Sequence, residues 1–219
     1  MSQQLQEAAE KALKKAEALG AQQVEVYIAS ARSFSIDVEN SAIKSASEKR
    51  DAGCGIRSVV DKRIGFAYVT TILDADILET AEQSVKLAKA AIADPSFVSL
   101  PSFSGTYPAV KGIFDSRVHN LSSEDAAEVI VKGVDATKEV LEGRNSAVEA
   151  KLVASSGTKA VVNSLGIASS TKSTSVYMFT YPTIKEDNDQ TSSYQVQVSR
   201  QLDGIDPEWI GRTSAENAL

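Results

Sequence analysis

Apolar residues recur at two different spacings along this chain, and the spacing predicts where helices and strands lie. In some stretches Leu, Ile, Val and Ala return every three or four positions, which is typical of the buried face of an amphipathic helix. Glycine or proline follows two of these stripes, and Pro207 marks the start of another, as expected at helix ends. Four stretches have this helical spacing: residues 3–19, 74–93, 121–143 and 206–219.

Other stretches alternate apolar and polar residues with a period of two, which indicates half-buried antiparallel strands. The clearest alternation is Val24, Val26 and Ile28, and the stretch near residues 64–71 carries its aromatic residues on one face. The links at residues 39–41 and 61–63 are short enough for hairpins. The predicted strands cover residues 24–28, 33–39, 53–60, 64–71, 148–155, 177–181 and 194–198.

The order of elements predicts an α+β fold built from a duplicated helix–antiparallel sheet–helix unit, with helices packed on the sheets. Residues 148–155 resemble residues 24–30, so we place the repeats at about 1–95 and 119–219. The connector, residues 95–118, holds three of the five prolines and is predicted to be irregular. Because the second repeat stops soon after a helix start, we expect a C-terminal domain to follow in a longer protein.

Composition excludes several classes of protein. The 219 residues carry a net charge of −6 and are 42% hydrophobic, which fits a soluble globular chain rather than a fibrous or disordered one. Without a basic excess we expect no direct nucleic-acid binding. No apolar stretch is long enough to span a bilayer, and no export signal is visible. The single cysteine excludes an intrachain disulfide and fits the cytoplasm.

The same composition limits metal and nucleophile chemistry. Cys54 and His119 are the only residues of their types, and a His/Cys zinc site needs three or four such ligands. A carboxylate site remains possible, although the acidic stretch 186–189 lacks the pattern of an EF-hand loop. We interpret Cys54 as a buried thiol and His119 as an exposed loop residue. No catalytic residues, metal ligands or cofactor sites are therefore predicted within this chain.

The densest local motif is Gly53-Cys54-Gly55-Ile56-Arg57. Two glycines on a strand permit close backbone approach or a bulge, and Arg57 offers a planar fork for a carboxylate. The motif is therefore either a bulged strand with a surface arginine or a sheet edge that faces a substrate or partner. Asn40 and Asn163 are predicted to occupy matching turns, where asparagine tolerates left-handed geometry.

Several motifs, taken in order, resemble the N-terminal domain of the TldD/PmbA family. The resemblance covers about residues 24–219, and each motif alone is weak. They are Val24-Glu25-Val26-Tyr27, Asp37-Val38-Glu39-Asn40, Gly53-Cys54-Gly55-Ile56-Arg57, Gly65-Phe66-Ala67, Asp94-Pro95-Ser96-Phe97, Leu100-Pro101, Asn163-Ser164-Leu165-Gly166 and Trp209-Ile210-Gly211-Arg212. The tail after Gln195 resembles the PmbA-type (TldE-type) subunit more than the TldD type.

The resemblance implies a subunit of a cytoplasmic peptidase that pairs with a related TldD/PmbA-type subunit. In that family the TldD-type subunit carries an HExxxH zinc motif beyond this domain, and the family name is also linked to modulation of DNA gyrase. No motif residue maps onto this chain, so zinc is expected only in a TldD-type C-terminal region or partner.

The resemblance therefore predicts a domain that contributes to the peptide cleft and subunit interface without a catalytic site of its own. The candidate peptide- or partner-binding residues are Gly53, Gly55, Arg57 and Asn40. The alternatives are a non-enzymatic module that regulates a partner protein and an independent carboxylate-metal enzyme.

Overall fold

The computed structural model describes residues 2–219, and its element order repeats the helix–strands–helix pattern twice. The predicted α+β fold class is confirmed. In chain order the elements are α1 (Ser2–Ala18), β1 (Gln23–Glu39), β2 (Ala42–Val60), β3 (Arg63–Val69), α2 (Asp74–Ala90), α3 (Ser116–His119), α4 (Ser123–Val140), β4 (Ser146–Asn163), β5 (Ala168–Glu186), β6 (Asp189–Ser192), β7 (Gln195–Ser199), a 3₁₀ turn (Leu202–Gly204) and α5 (Pro207–Ala218).

Four strands are much longer than the alternation predicted. The stretches at 24–28 and 33–39 belong to one strand, β1, and β2 begins at Ala42 rather than near residue 53. The first ten residues of β2 are exposed on both faces, so they carry no apolar alternation to reveal a strand. Both predicted hairpin links are confirmed, because residues 40–41 and 61–62 all have positive φ, as a two-residue turn between twisted strands requires.

The strands form a sheet in the order β3-β2-β1-β4-β5-β6, and β7 also pairs with β5. The chain divides into two compact units that are discontinuous in sequence, because β1, β2, β4 and β5 contribute residues to both. Unit 1 comprises Met1–Ala31, Arg50–Val110 and Gly157–Lys172, and unit 2 comprises Arg32–Lys49, Lys111–Ser156 and Ser173–Leu219. Residues 91–115 contain no helix or strand.

Unit 1 buries one face of its strands against α1 and α2. Val24, Val26 and Ile28 of β1 share a core with Ile77 and Val85 of α2, and small residues of α1 complete it. Ser58 and Ser84 form a buried hydrogen bond of 2.7 Å between β2 and α2. This core leaves the opposite face of the strands without a helix of unit 1.

Gly65 allows β3 to pack in direct contact with the backbone of α2. A Cβ atom at this position would lie 2.1 Å from the Ser84 carbonyl oxygen and 2.2 Å from the Ala88 backbone nitrogen. Backbone atoms cannot move away cheaply, so only glycine permits this packing. The strand consequently lies directly on the helix.

Unit 2 packs α3, α4 and α5 on its strands around Ile130, Leu152 and Met178. The predicted start of α4 is confirmed, since the Ser122 hydroxyl accepts a hydrogen bond from the Asp125 amide at 3.0 Å. The Asp206 carboxylate caps α5 in the same way, with Pro207 in the first turn.

A buried carboxylate ties the connector to the rest of unit 2. Asp115 is only 8% exposed and accepts hydrogen bonds from the Arg117 amide at 2.8 Å, the Arg117 Nη2 at 2.9 Å and the Leu202 amide at 3.0 Å. The Asp115 amide in turn donates to the Thr174 hydroxyl at 2.9 Å. The Arg117 guanidinium and these amides lower the pKa of Asp115 to about 2. The network fixes the chain just before α3.

Candidate functional site

The glycine–arginine motif lies in β2 on the face opposite the core of unit 1. Cys54 and Ile56 point into that core, so alternation places Gly53, Gly55 and Arg57 on the open face. Arg57 is about half exposed, and its Nη1 lies 3.3 Å from Glu25 Oε1 on the neighbouring strand β1. The guanidinium is therefore positioned by one carboxylate and keeps donors available for another.

The glycines serve close approach, and no bulge interrupts the pairing of residues 54–60 with β3. The pairing of β2 with β3 runs without interruption from Cys54–Val69 to Val60–Arg63. A Cβ on Gly55 would lie 3.2 Å from the Phe66 ring, and one on Gly53 would lie 2.8 Å from the Val69 carbonyl oxygen. On the β3 side the bulge alternative is wrong from Cys54 onward, whereas the predicted close backbone approach is confirmed.

The prediction that residues 53–57 form a sheet edge is also wrong. β2 lies between β3 and β1, so both of its neighbours are strands at residues 54–57. The edge of unit 1 is β3 instead. The two predicted hairpin links already implied these neighbours, because a strand between two hairpins has a strand on each side. Alternation alone reports only which face of a strand is buried.

Exposed aromatic side chains surround Arg57 on the open face. Tyr27 is 48% exposed, Phe66 55% and Tyr68 72%. The Phe66 and Tyr68 rings stack with their centroids 6.4 Å apart. The alternation placed the aromatic residues of β3 on one face, and this is the open face, because the face that packs on α2 carries Gly65 and Ala67. These small residues were the signal in the sequence that could have identified the covered face.

Asn40 belongs to unit 2 and is not part of this cluster. It is an exposed turn residue with φ 49°, followed by Ser41 with φ 63°. Asn163 lies at the corresponding link between β4 and β5, but the predicted left-handed geometry is wrong for it, because the positive φ of that turn belongs to Gly166. The Asn163 side chain is buried, accepts from the Leu165 and Ile167 amides at 3.0 Å each and donates to the Pro101 carbonyl at 2.7 Å. Asn40 shapes a hairpin through its backbone, whereas Asn163 organises a turn through its amide group.

The two residues with nucleophile or base chemistry have structural surroundings. Cys54 is buried, and desolvation raises its pKa to about 11, so it is a core thiol as predicted. The prediction of an exposed loop histidine was wrong. His119 ends α3, is partly buried, and its Nδ1 lies 2.8 Å from the Ser156 hydroxyl, with the Phe114 ring beside it.

Two family models match the chain in succession. PmbA/TldA metallopeptidase domain 1 matches residues 24–88, and the PmbA/TldA metallopeptidase central domain matches residues 117–219. The chain belongs to the PmbA/TldD family. No curated protein sequence gives a significant match.

Solved structures show the same fold as this family member. TldE from Thermococcus kodakarensis superposes with a TM-score of 0.87 at 24% identity, over 96% of this chain and 47% of that one. A protein from Thermotoga maritima, described as a proposed modulator of a DNA gyrase, superposes with a TM-score of 0.80 at 17% identity. The match covers 97% of this chain and 47% of that one. A similarly described protein from Bacteroides thetaiotaomicron superposes with a TM-score of 0.82 at 18% identity, over 97% of this chain and 49% of that one. The chain spans about half the length of these structures.

The donor set of this chain does not fit the zinc ion that the family resemblance implies. Within residues 2–219, no three His, Cys, Asp or Glu side chains lie close enough to hold a metal ion together. The acidic stretch 186–189 forms the hairpin turn between β5 and β6, where Glu186 pairs with Arg144. In the same described part of the chain, no helix is long and apolar enough to cross a membrane.

Proposed function

We propose that this chain is the N-terminal part of a PmbA/TldD-type protein that forms a peptide-binding and subunit-contact surface in a cytoplasmic peptidase complex. Bond cleavage would use a zinc-bearing segment or partner of the TldD type. The observation that carries the proposal is the open face of unit 1, where Tyr27, Phe66 and Tyr68 surround Arg57. The family membership supports it, since both matching models describe metallopeptidase domains.

Aromatic side chains on a flat sheet face suit this role for a physical reason. Each ring removes a large apolar area from water on contact while losing little conformational freedom, because it has only two side-chain torsions. The rings are held in place by the strand beneath, as Gly55 lets Phe66 lie close to β2. A partner that covered this face would therefore meet a preorganised surface.

Arg57 adds specificity for a carboxylate. Its ion pair with Glu25 restrains the side chain on the open face, and its remaining N–H groups need acceptors once a bound group displaces the water around them. A peptide carboxylate or an acidic side chain of the partner subunit meets this requirement. We expect Arg57→Ala to lower kcat/KM of the assembled complex about tenfold, the loss of a charge-assisted contact. Unchanged peptide turnover would remove Arg57 from the proposal.

The subunit contact is tested by pull-down and isothermal titration with a zinc-bearing family member. We expect Phe66→Ser combined with Tyr68→Ser to weaken association at least tenfold, because two central aromatic contacts are lost. The matched control is Ile92→Ser, which removes an apolar side chain that is 94% exposed and lies outside the sheet. Equal association of all three proteins would refute the contact. Association that leaves peptide turnover unaffected would favour a regulatory module instead.

A further inference from the structure

The outer edge of β3 has a cleft beside it, and we infer that this edge binds an extended, basic peptide by strand addition. The inference rests on the peptide-binding role proposed above and names the class of peptide and its place. An added strand would gain backbone hydrogen bonds from β3 and place alternate side chains toward α2.

The edge is open to an added strand. β3 is the last strand of its sheet on this side. Among residues 2–219, the backbone of residues 64–69 makes hydrogen bonds only with β2. Proteins usually protect such edges with lysine, proline or a bulge. β3 reads Arg-Ile-Gly-Phe-Ala-Tyr-Val, so its only charge is on its first residue, and its register with β2 is unbroken.

A cleft of about 220 Å³ lies beside this edge, between the second half of β3 and the first half of α2. Its volume equals that of roughly seven water molecules in the liquid, enough for one long side chain. Gly65 brings the middle of β3 into contact with α2, and the cleft begins two residues later along the strand. The lining residues are Ala67, Tyr68, Val69, Asp76, Glu79, Thr80 and Gln83.

The charge of the cleft selects a basic side chain. Asp76 and Glu79 are its charged groups, and no cation lines it. Asp76 accepts a hydrogen bond from the Thr71 hydroxyl at 2.9 Å, while Glu79 is exposed and has no ion-pair partner in the described part of the chain. A lysine or arginine on the added strand would lay its apolar stem over Ala67 and Val69 and bring its cation to these carboxylates.

Fluorescence anisotropy with labelled peptides of equal length tests the charge preference. The peptides share a threonine- and valine-rich sequence and differ at one central residue, lysine or glutamate. We expect the lysine peptide to bind about tenfold more tightly, with the difference shrinking as salt is added. A third peptide carries N-methyl groups on the lysine sequence along one edge. It is expected to lose binding, because those amides can no longer donate to β3.

The binding position of the peptide on the chain is tested by NMR on the full chain and by matched variants. We expect the lysine peptide to shift the amides of residues 64–69 and 76–83. Glu79→Gln should weaken its binding about threefold. Glu149→Gln, which neutralises an exposed carboxylate of unit 2, should leave it unchanged. Peptide binding that is unchanged by N-methylation or by Glu79→Gln would overturn this inference alone. Failure of every peptide to bind would overturn the proposed peptide-binding role as well.

Discussion

Replacing Asp115 with asparagine tests the electrostatic account of unit 2. In the native chain the carboxylate is 92% buried, as its exposed fraction is 8%, and it accepts hydrogen bonds from Arg117 and from the Leu202 amide. Asparagine has nearly the same shape but no charge, and its NH₂ group cannot accept from these donors. We expect Asp115→Asn to fold and to lose both neutral-pH stability and part of its response to acid.

The magnitude follows from the pKa of Asp115. The folded chain lowers this pKa from 3.8 to about 2, and the first cause is the hydrogen bond with Arg117. A difference of this size corresponds to about 2 kcal/mol of folding free energy. Because the folded pKa is the lower one, this stability is complete above pH 3.8 and falls away as the pH drops toward 2. Asp115→Asn should therefore cost about 2 kcal/mol at pH 7 and much less near pH 2.

Urea unfolding followed by circular dichroism at a series of pH values between 7 and 2 measures the effect. The difference in unfolding free energy between the native chain and Asp115→Asn should shrink as the pH falls below about 4, with similar m-values. Asp203→Asn is the matched control, because Asp203 also pairs with Arg117 but is 74% exposed. We expect it to destabilise the chain much less than Asp115→Asn does, because solvent screens an exposed ion pair. A constant difference across the pH range would refute the reasoning.

Three further predictions concern buried positions. Gly211→Ala places a Cβ 2.2 Å from the Gly133 carbonyl oxygen where α5 crosses α4, so we expect a loss of at least about 2 kcal/mol by urea unfolding, and a chain of native stability would contradict this packing. Asn163→Ala leaves the Leu165 and Ile167 amides without their acceptor, so unfolding free energy should fall by about 1–3 kcal/mol. Asn188→Ala, at an exposed turn position without positive φ, is the matched control. Cys54, with its pKa raised to about 11, should react with iodoacetamide at pH 8 much more slowly in the folded chain than in urea, and equal rates would show that the thiol is not buried.

The surface of unit 1 shows where interpretation from sequence reaches its limit. The motif around Arg57 was recognised from residue types, and its place on the open face follows from alternation. Alternation placed the aromatic residues of β3 on one face without showing which face is covered. Packing decided this, because only the face with Gly65 fits against the backbone of α2. The resulting surface depends on contacts between residues distant in sequence.

Local patterns determined the four long helices, the hairpin turns and the repeated order of elements, because each depends on residues within a few positions of one another. The short helix α3 was missed, since residues 95–118 were predicted to be irregular. The family resemblance also came from short motifs in order, and the family models confirm it over residues 24–88 and 117–219. Only the tertiary structure decided how the hairpins pair with one another, which strand ends the sheet and how the long strands divide between two units. Strand pairing joins residues far apart in the chain, and neither alternation nor composition records which partner a strand will take.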